Sequence, residues 1–200
     1  MSDRDIILRA IRNSARAPHP RPRPPDFAER YPATPAAFGS TLTLMGGIWD
    51  DSHLGQSADP AELSAYIRGL FPAAGRFCSA VAGIEGDIPL TAQTPSSTLE
   101  SVDVAIVKAG FGVAETGSVW LSERECPANA LGFLAQHLVV LLPVAAIVAN
   151  LHVAYARQEV STVNYGVLMS GPSATADIEG VLIRGAQGVR SLRVIALRDG

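Results

Sequence analysis

Apolar runs the length of single strands alternate with amphipathic stretches along most of this chain. Asp59 and Pro60 precede an amphipathic run that reaches Leu70, and these two residue types mark the N-cap and the first position of a helix. The runs at 77–81 and 102–107 have the length and the residue types of strands. Helices and strands that alternate at this spacing predict a largely parallel sheet covered by helices. The predicted fold class is therefore α/β.

The first residues of the chain show helical periodicity. Ile6, Ile7 and Ile11 fall on one face of a helix predicted over residues 3–14, with Asp3 at its start. The arginines of this stretch lie on the opposite face, which indicates a helix with one apolar side and one charged side.

A proline-rich stretch follows this helix. Seven prolines lie between positions 17 and 35, and proline at this density excludes both helix and sheet. We interpret the stretch as a solvated tether, although its interspersed arginines also fit a docking strap or a nucleic-acid contact. The chain thus divides into an N-terminal helix with a proline-rich arm, residues 1–35, and an α/β domain, residues 36–200.

Residues 126–156 contain no charged side chain, and an apolar run of this length is long enough to cross a membrane. Polar residues and a proline interrupt it at Gln136, His137, Pro143, Asn150 and His152. We therefore interpret 137–142 as a central strand buried on both faces, followed by a covering helix that Pro143 opens. The residues predicted to face the sheet from this helix are Val144, Ile147, Val148, Leu151 and Tyr155. No membrane span is expected.

Composition narrows the class of protein further. The 200 residues are 48% hydrophobic and 18% charged, which suits one globular domain with a small appendage. The formal net charge is −3 and no basic block lies outside the N-terminal segment, so nucleic-acid binding is not expected. Cys78 and Cys126 cannot by themselves hold an iron–sulfur cluster or a four-ligand zinc ion. No apolar signal segment follows the charged N-terminus, which favours a cytoplasmic protein.

A glycine-framed turn after the strand at 102–107 is the first candidate for chemistry. Glycines at positions 110, 112 and 117 surround the pair Glu115-Thr116. Glycine lets the backbone turn sharply or approach a ligand, and a glutamate at such a turn can act as a general base, a nucleophile or a hydrogen-bond acceptor. The alternative is a plain hairpin whose glutamate faces water.

The second candidate follows an apolar stretch at 165–169 that we interpret as a buried strand. Its sequence is Ser170-Gly171-Pro172-Ser173-Ala174-Thr175-Ala176-Asp177-Ile178-Glu179. The Gly-Pro pair ends the strand, and the hydroxyl and acidic residues after it are typical of a helix start. The first N–H groups of a helix lack partners within the helix, so this corner is predicted to receive a carboxylate or a phosphate. A loop with a well-capped helix is the alternative.

These segments together resemble a known family. The chain is similar to the lactate-utilisation protein C family, the LUD domain, in an ordered series of four features. They are Gly112-Val113-Ala114-Glu115-Thr116-Gly117-Ser118, a histidine that leads an apolar strand, the segment at 170–179 and Gly185-Ala186-Gln187-Gly188. The resemblance covers roughly residues 38–198. It implies a Rossmann-like sheet covered by helices with a smaller antiparallel part, similar to the fold of glucosamine-phosphate isomerase, ribose-phosphate isomerase and CoA-transferases.

The resemblance also implies a function and partners. Members of this family are associated with the oxidation of L-lactate to pyruvate, alongside an iron–sulfur subunit and a cysteine-rich subunit. No cofactor is therefore expected on this chain alone, and iron–sulfur clusters are expected only on the partner subunits. A homo-oligomer is left open.

Two residues differ from the pattern of the family. Ala174 stands where a basic residue is usual, and Gln187 stands where a histidine is usual. These differences favour an alternative function, a non-catalytic ligand-binding or assembly module on the same scaffold. An isolated hydrolase or isomerase is a third hypothesis, which no visible nucleophile–base pair supports.

The predicted site combines the two turns and binds a small anionic ligand. Glu115 is the candidate for proton or nucleophilic chemistry. His137 is a second catalytic candidate, with a structural histidine in a buried strand as the alternative. Arg184 and Arg190 are candidate counter-charges, and no metal ligands are predicted. The predicted ligand-binding residues are Thr116, Gly117, Ser118, Ser170, Gly171, Pro172, Ser173, Thr175, Asp177 and Glu179.

Overall fold

A computed structural model describes residues 2–14, 20, 22, 32–54, 59–176 and 180–198 of the chain. Its helices are α1 (Asp3–Asn13), α2 (Pro35–Leu44), α3 (Pro60–Leu70), α4 (Ser96–Leu99), α5 (Leu131–Leu134), α6 (Leu151–Tyr155) and α7 (Gln158–Ser161). Its strands are β1 (Ile48–Asp50), β2 (Phe77–Ser79), β3 (Val104–Lys108), β4 (Phe111–Val113), β5 (Ser118–Ser122), β6 (His137–Pro143), β7 (Ile147–Val148), β8 (Gly166–Met169), β9 (Ala174–Thr175), β10 (Ile183–Arg184) and β11 (Ser191–Leu197).

A parallel sheet of five strands forms the centre of the fold, in the order β1-β11-β6-β3-β2. The side chains of β6 alternate between its two faces, since Val140 packs in a cluster with Phe38 of α2, whereas Val139 packs in a second cluster with Ile67 of α3. A strand covered on both faces needs a continuous apolar sequence, as β6 has. The predictions of a largely parallel sheet and of a central strand at 137–142 are therefore confirmed.

Helix α3 begins where its local signals predict. The Asp59 side chain accepts a hydrogen bond from the Ala61 N–H, and Pro60 occupies the first turn, where its missing N–H costs nothing. Leu63 and Ile67, one helical turn apart, are buried against the sheet.

A second, smaller sheet contains the antiparallel part of the fold. Its order is β7-β4-β5-β8, with β5 antiparallel to both β4 and β8, and β7 parallel to β4. Strand β8 is half-buried and pairs only with β5 among the described residues, so the strand predicted at 165–169 lies at the edge of this sheet and is not deeply buried. Strands β9 and β10 form a separate antiparallel pair.

The covering helix predicted from Pro143 is wrong. A 3-10 turn at Val144–Ala146 follows β6, and the chain then enters β7 and only afterwards α6. Ile147 and Val148 pair with Gly112 and Val113 of β4. This pairing with distant residues gives the backbone an extended conformation, although the local spacing of apolar residues suits a helix. Within the described ranges, no helix has the length and apolar character that crossing a membrane requires.

The N-terminal helix is confirmed as α1, with Ser2 as its N-cap in a reciprocal capping box with Asp5. Its apolar face is open, since the exposed fractions of Ile6, Ile7 and Ile11 are 50%, 59% and 60%. Most of the proline-rich arm, at 15–19, 21 and 23–31, lies outside the described residues.

Candidate functional site

The two turns singled out in the sequence meet in the structure. Strands β4 and β8 are both antiparallel to β5, so they run in the same direction and end at the same edge of the second sheet. The Ser170 hydroxyl donates to the carbonyl oxygens of Thr116 and Gly117, at 2.9 and 3.1 Å. One side chain thus joins the turn after β8 to the turn after β4.

Both turns rest on the C-terminal half of α2 through glycines. Gly117 has a φ of 59° and Gly171 a φ of 69°, a left-handed backbone that favours glycine. A Cβ added at Gly117 would fall on the backbone of Leu42, and one added at Gly171 would fall on the carbonyl oxygen of Met45. These glycines therefore have a structural role, since they let two turns approach a helix closely.

Glu115 is half-buried in the hairpin turn between β4 and β5, and its carboxylate contacts the start of α6. Its Oε2 accepts a hydrogen bond from the Leu151 N–H at 3.0 Å, and its own N–H donates to the Ala149 carbonyl at 3.0 Å. Leu151 is the first residue of α6, and Asn150 caps the same helix through Val153. The backbone is a hairpin, as one interpretation predicted, but the carboxylate is held by a helix N-terminus.

The remaining predicted residues of this turn contact each other. The Ser118 hydroxyl donates to Thr116 Oγ1 at 2.8 Å, and Ser118 is buried. Hydroxyl groups that satisfy each other in a turn stabilise its backbone conformation. Thr116 and Ser118 thus support the turn from within.

The helix start predicted after Ser173 is wrong. Ala174 and Thr175 form β9 and pair with Ile183 and Arg184 of β10. On the preceding residue, Ser173, the N–H donates to the Val189 carbonyl and the carbonyl accepts from the Gly185 N–H. The N–H group that a helix start would have left open therefore already has a partner. Asp177 and Glu179 lie outside the described residues.

A cavity of about 240 Å³ lies beside the Gly-Pro-Ser segment, and we call it the motif cavity. The polar side chains in its lining are Ser170, Ser173 and Gln187, and Phe133, whose exposed fraction is 39%, adds an aromatic ring. Its full lining is Gly132, Phe133, Val167, Leu168, Met169, Ser170, Gly171, Pro172, Ser173, Gln187, Gly188 and Val189. No lining residue is ionisable, and the predicted residues at 116–118 do not line it. Phe133 carried no motif signal in the sequence.

His137, the first residue of β6, lies at the amino-terminal edge of the central sheet. Its Nδ1 is 2.8 Å from Ser191 Oγ, and it lines a cavity of about 250 Å³ together with Asp103 and Arg190. Burial lowers the pKa of His137, the Arg190 guanidinium lowers it further, and Asp103 partly opposes this. Glu115 contacts Leu151 and does not line this cavity, so the two catalytic candidates do not share a cavity or a hydrogen-bond partner among the described residues.

The two predicted counter-charges are also separated. Arg190 lines the His137 cavity, whereas the guanidinium of Arg184 lies over Gly46, at the turn between α2 and β1. Neither arginine lines the motif cavity.

A third cavity, of about 570 Å³, lies at the carboxyl-terminal edge of the central sheet and was missed in the sequence. We call it the carboxyl-edge cavity. It is lined by Lys108, Arg124 and Glu125 together with Ala80, Val81, Ala82, Ala109, Gly110 and Pro143. The one sequence signal that pointed to it is a lysine that directly ends an apolar strand.

The two cysteines belong to the hydrophobic core. Cys78 and Cys126 are both buried as free thiols. Burial raises the pKa of Cys78 and raises that of Cys126 to about 11, which favours the neutral thiol at neutral pH. Among the described residues, no group of three or more histidine, cysteine, aspartate or glutamate side chains is placed to hold a metal ion.

Comparison with known proteins gives two matches. The family model described as the LUD domain matches residues 84–197, a range that contains both turns and the motif cavity. The crystal structure of a DUF162 family protein from Deinococcus radiodurans is similar with a TM-score of 0.57 and 20% sequence identity, over 81% of this chain and 94% of that chain. At this identity the second match shows the fold alone. A search of curated proteins finds no significant match.

Proposed function

Because the chain belongs to the LUD domain family, we propose that it acts as one subunit of a lactate-utilisation system, in which it binds a small carboxylate ligand. The family is associated with the oxidation of L-lactate to pyruvate. In this proposal, the electrons released by this oxidation pass to iron–sulfur clusters on partner subunits, because two cysteines are too few to hold a cluster.

The observation that carries the proposal is the contact of Ser170 with Thr116 and Gly117. It connects the two segments that carry the family resemblance, and Ser170 also lines the motif cavity. A pre-formed concave site with few polar groups is typical of small-molecule binding.

The lining of the motif cavity suits a small hydroxy acid or keto acid. Ser173 and Gln187 supply hydroxyl and amide donors for a carboxylate, while Phe133 and Met169 supply an apolar wall for a methyl group. The Ser170 hydrogen is already donated to backbone carbonyls, so its oxygen serves only as an acceptor.

The absence of an ionisable lining residue favours a second function, binding without catalysis. Ala174 and Gln187 provide neither a cation nor an imidazole, and neutral donors alone hold a carboxylate weakly. In this function the subunit would present the ligand, or would only complete the assembly, while a partner subunit carries out the oxidation.

Lactate-dependent dye reduction tests whether the chain takes part in the reaction in either function. Candidate iron–sulfur and cysteine-rich subunits are assayed with and without this chain, and turnover is expected only when the chain is present. Normal turnover in its absence would exclude it from the reaction.

Variants at the motif cavity then test whether this chain handles the substrate. Ser173→Ala and Gln187→Ala are each expected to raise the lactate KM by roughly 2- to 10-fold, the effect of losing one hydrogen bond. Gln93→Ala, at an exposed glutamine in another loop, is the matched control. If both cavity variants leave KM and kcat unchanged while the chain is still required, the assembly function replaces the ligand-binding one.

A further inference from the structure

The carboxyl-edge cavity lies where open α/β sheets bind ligands, just outside the carboxyl ends of parallel strands. Strands β2, β3 and β6 are neighbours and run in the same direction. Residues at or directly after their carboxyl ends line the cavity, namely Ala80, Lys108 and Pro143. The cavity shares no lining residue with the motif cavity and, at about 570 Å³, is larger.

Small residues keep this edge of the sheet open. Ala80 and Ala82 follow β2, and Ala109 and Gly110 follow β3. A Cβ added at Gly110 would lie 3.1 Å from Glu125 Oε1 and 3.1 Å from Trp120 Cδ1, a tighter approach than side chains normally make. Glycine at this position therefore lets the Glu125 carboxylate reach the end of β3.

Two cations line the cavity. Lys108, the last residue of β3, is exposed, and its side chain forms no hydrogen bond or ion pair with the described residues. Arg124 donates from one terminal nitrogen, Nη2, to the carbonyl and the hydroxyl of Thr162, at 3.3 and 3.1 Å. A guanidinium has five N–H donors, so the Thr162 contacts orient Arg124 and leave donors for a ligand.

One carboxylate oxygen of Glu125 is held by hydrogen bonds, and the other is available to a ligand. Its Oε2 accepts from the Ser122 N–H at 2.8 Å and from the Ser122 hydroxyl at 2.6 Å, and Ser122 is buried. Its Oε1 accepts no hydrogen bond from the described residues and lies beside Gly110. A fixed carboxylate of this kind repels an anionic group but accepts a hydrogen bond from a hydroxyl group.

We propose that the carboxyl-edge cavity binds a small hydroxylated anion, whose carboxylate or phosphate group contacts Lys108 and Arg124 and whose hydroxyl group donates to Glu125 Oε1. Hydroxy acids and sugar phosphates share this chemistry. The inference rests on the side chains of this cavity and does not depend on the lactate-utilisation function.

The composition of the chain provides a direct probe, because Lys108 is its only lysine. Reductive methylation with ¹³C-formaldehyde keeps the positive charge and labels Lys108 and the N-terminal amine, which NMR separates. The full chain is titrated with L-lactate against propionate, and with glycerol 3-phosphate against propyl phosphate. Each pair differs mainly in its hydroxyl groups, and the pair that binds more tightly identifies the anionic group.

The Lys108 signal is expected to shift saturably with at least one hydroxylated probe. The Kd of this probe is expected to be about 10-fold lower than that of its partner without the hydroxyl group. Arg124→Gln is expected to weaken binding about 10-fold or more. Arg76→Gln, which removes the same charge at the opposite edge of the sheet, is expected to leave it unchanged.

Glu125→Gln tests the hydroxyl contact. The amide oxygen is expected to keep the two Ser122 contacts, which places the NH2 group, a donor, at the position of Oε1 and removes the preference within the pair. Because Glu125 also contacts Ser122, circular dichroism accompanies this variant, and Arg124→Gln decides the proposal if Glu125→Gln unfolds. The proposal is overturned if no probe shifts the Lys108 signal saturably, or if Arg124→Gln binds every probe as the unchanged chain does.

Discussion

The Ser170 hydroxyl lies 2.9 Å from the Thr116 carbonyl oxygen, and this contact connects residues 54 positions apart in the chain. It joins the ends of two strands that never pair with each other, since β5 lies between them. The candidate site therefore depends on a long-range hydrogen bond, and its removal is a direct test of the geometry.

Ser170→Ala is expected to lower the free energy of unfolding by about 1–2 kcal/mol, because two half-buried carbonyl groups lose their donor. Urea denaturation followed by circular dichroism measures this change. Ser161→Ala is the matched control, since Ser161 donates only to a carbonyl within its own exposed turn, and it is expected to stay within about 0.5 kcal/mol. Equal effects of the two variants would show that Ser170 does not hold the turns together.

Gly117→Ala is expected to destabilise the protein more than Gly180→Ala does. Both glycines have positive φ, of 59° and 70°, so alanine costs about 1–2 kcal/mol at either position. A Cβ at Gly117 also meets the backbone of Leu42, whereas a Cβ at Gly180 meets nothing within 4 Å. Steric overlap of this kind adds about 1–3 kcal/mol.

Thermal unfolding of the two glycine variants side by side checks this expectation. The backbone cost cancels in the comparison, so the difference reports only the close approach of the turn to α2. A Gly117→Ala variant as stable as Gly180→Ala would mean that the turn does not rest on this helix.

Glu115→Ala is expected to lower the free energy of unfolding by about 1–3 kcal/mol, because it leaves the Leu151 N–H at the start of α6 without its acceptor. Glu115→Gln keeps an acceptor oxygen and is expected to recover most of the loss. Denaturant unfolding of the three chains measures both values.

The same pair of variants decides whether Glu115 has a chemical role. A structural role predicts that lactate-dependent turnover follows stability, with Glu115→Gln close to the unchanged chain over the whole pH profile. Turnover lost in a fully stable Glu115→Gln variant would instead assign proton chemistry to this carboxylate.

Elements with a strong local signal were predictable from the sequence. Asp59 and Pro60 fix the start of α3 by cap chemistry, and the continuous apolar run of β6 fits only an element buried on both faces. Neither inference requires knowledge of a distant partner.

Two segments that the sequence predicted as helical form strands, because each pairs with a segment that is distant in the chain and that no local pattern shows. The segment Ile147–Val148 becomes a strand because it pairs with Gly112–Val113, and Ala174–Thr175 does so because it pairs with Ile183–Arg184. Strand formation depends on such partners more than helix formation does. The prediction of an anion-binding helix start was wrong for this reason.

The candidate sites also combine locally predictable segments with residues that only the fold brings close. The two turns were predictable as glycine-rich segments, but the cavity beside them also needs Phe133 from α5, which carries no motif. The carboxyl-edge cavity combines Lys108 with Arg124 and Glu125, which reach the same edge only after the chain has passed through the second sheet. The sequence shows each group, and the path of the chain brings them together.

A buried carboxylate at the end of β1 gives the fold a defined pH dependence. Asp50 is 7% exposed, pairs with Arg193 at 2.9 Å and accepts from the Tyr66 hydroxyl at 2.8 Å. Burial alone would raise the pKa of Asp50, but the hydrogen bonds from Ser52, Tyr66 and Arg193 outweigh it and hold the pKa below the ordinary value of 3.8. The folded state therefore favours the charged form of Asp50.

A carboxyl whose pKa is lower in the folded state stabilises the fold fully above its unfolded pKa, and this contribution disappears as the pH falls through the folded pKa. Asp50→Asn is therefore expected to lose roughly 2–4 kcal/mol at neutral pH, where it leaves Arg193 without its partner. The difference between the two chains should shrink as the pH falls below about 4. Urea unfolding from pH 7 to pH 3 measures it, with Asp51→Asn, at an exposed neighbour, as the control. A difference that stays constant over this range would show that the charge of Asp50 does not stabilise the fold.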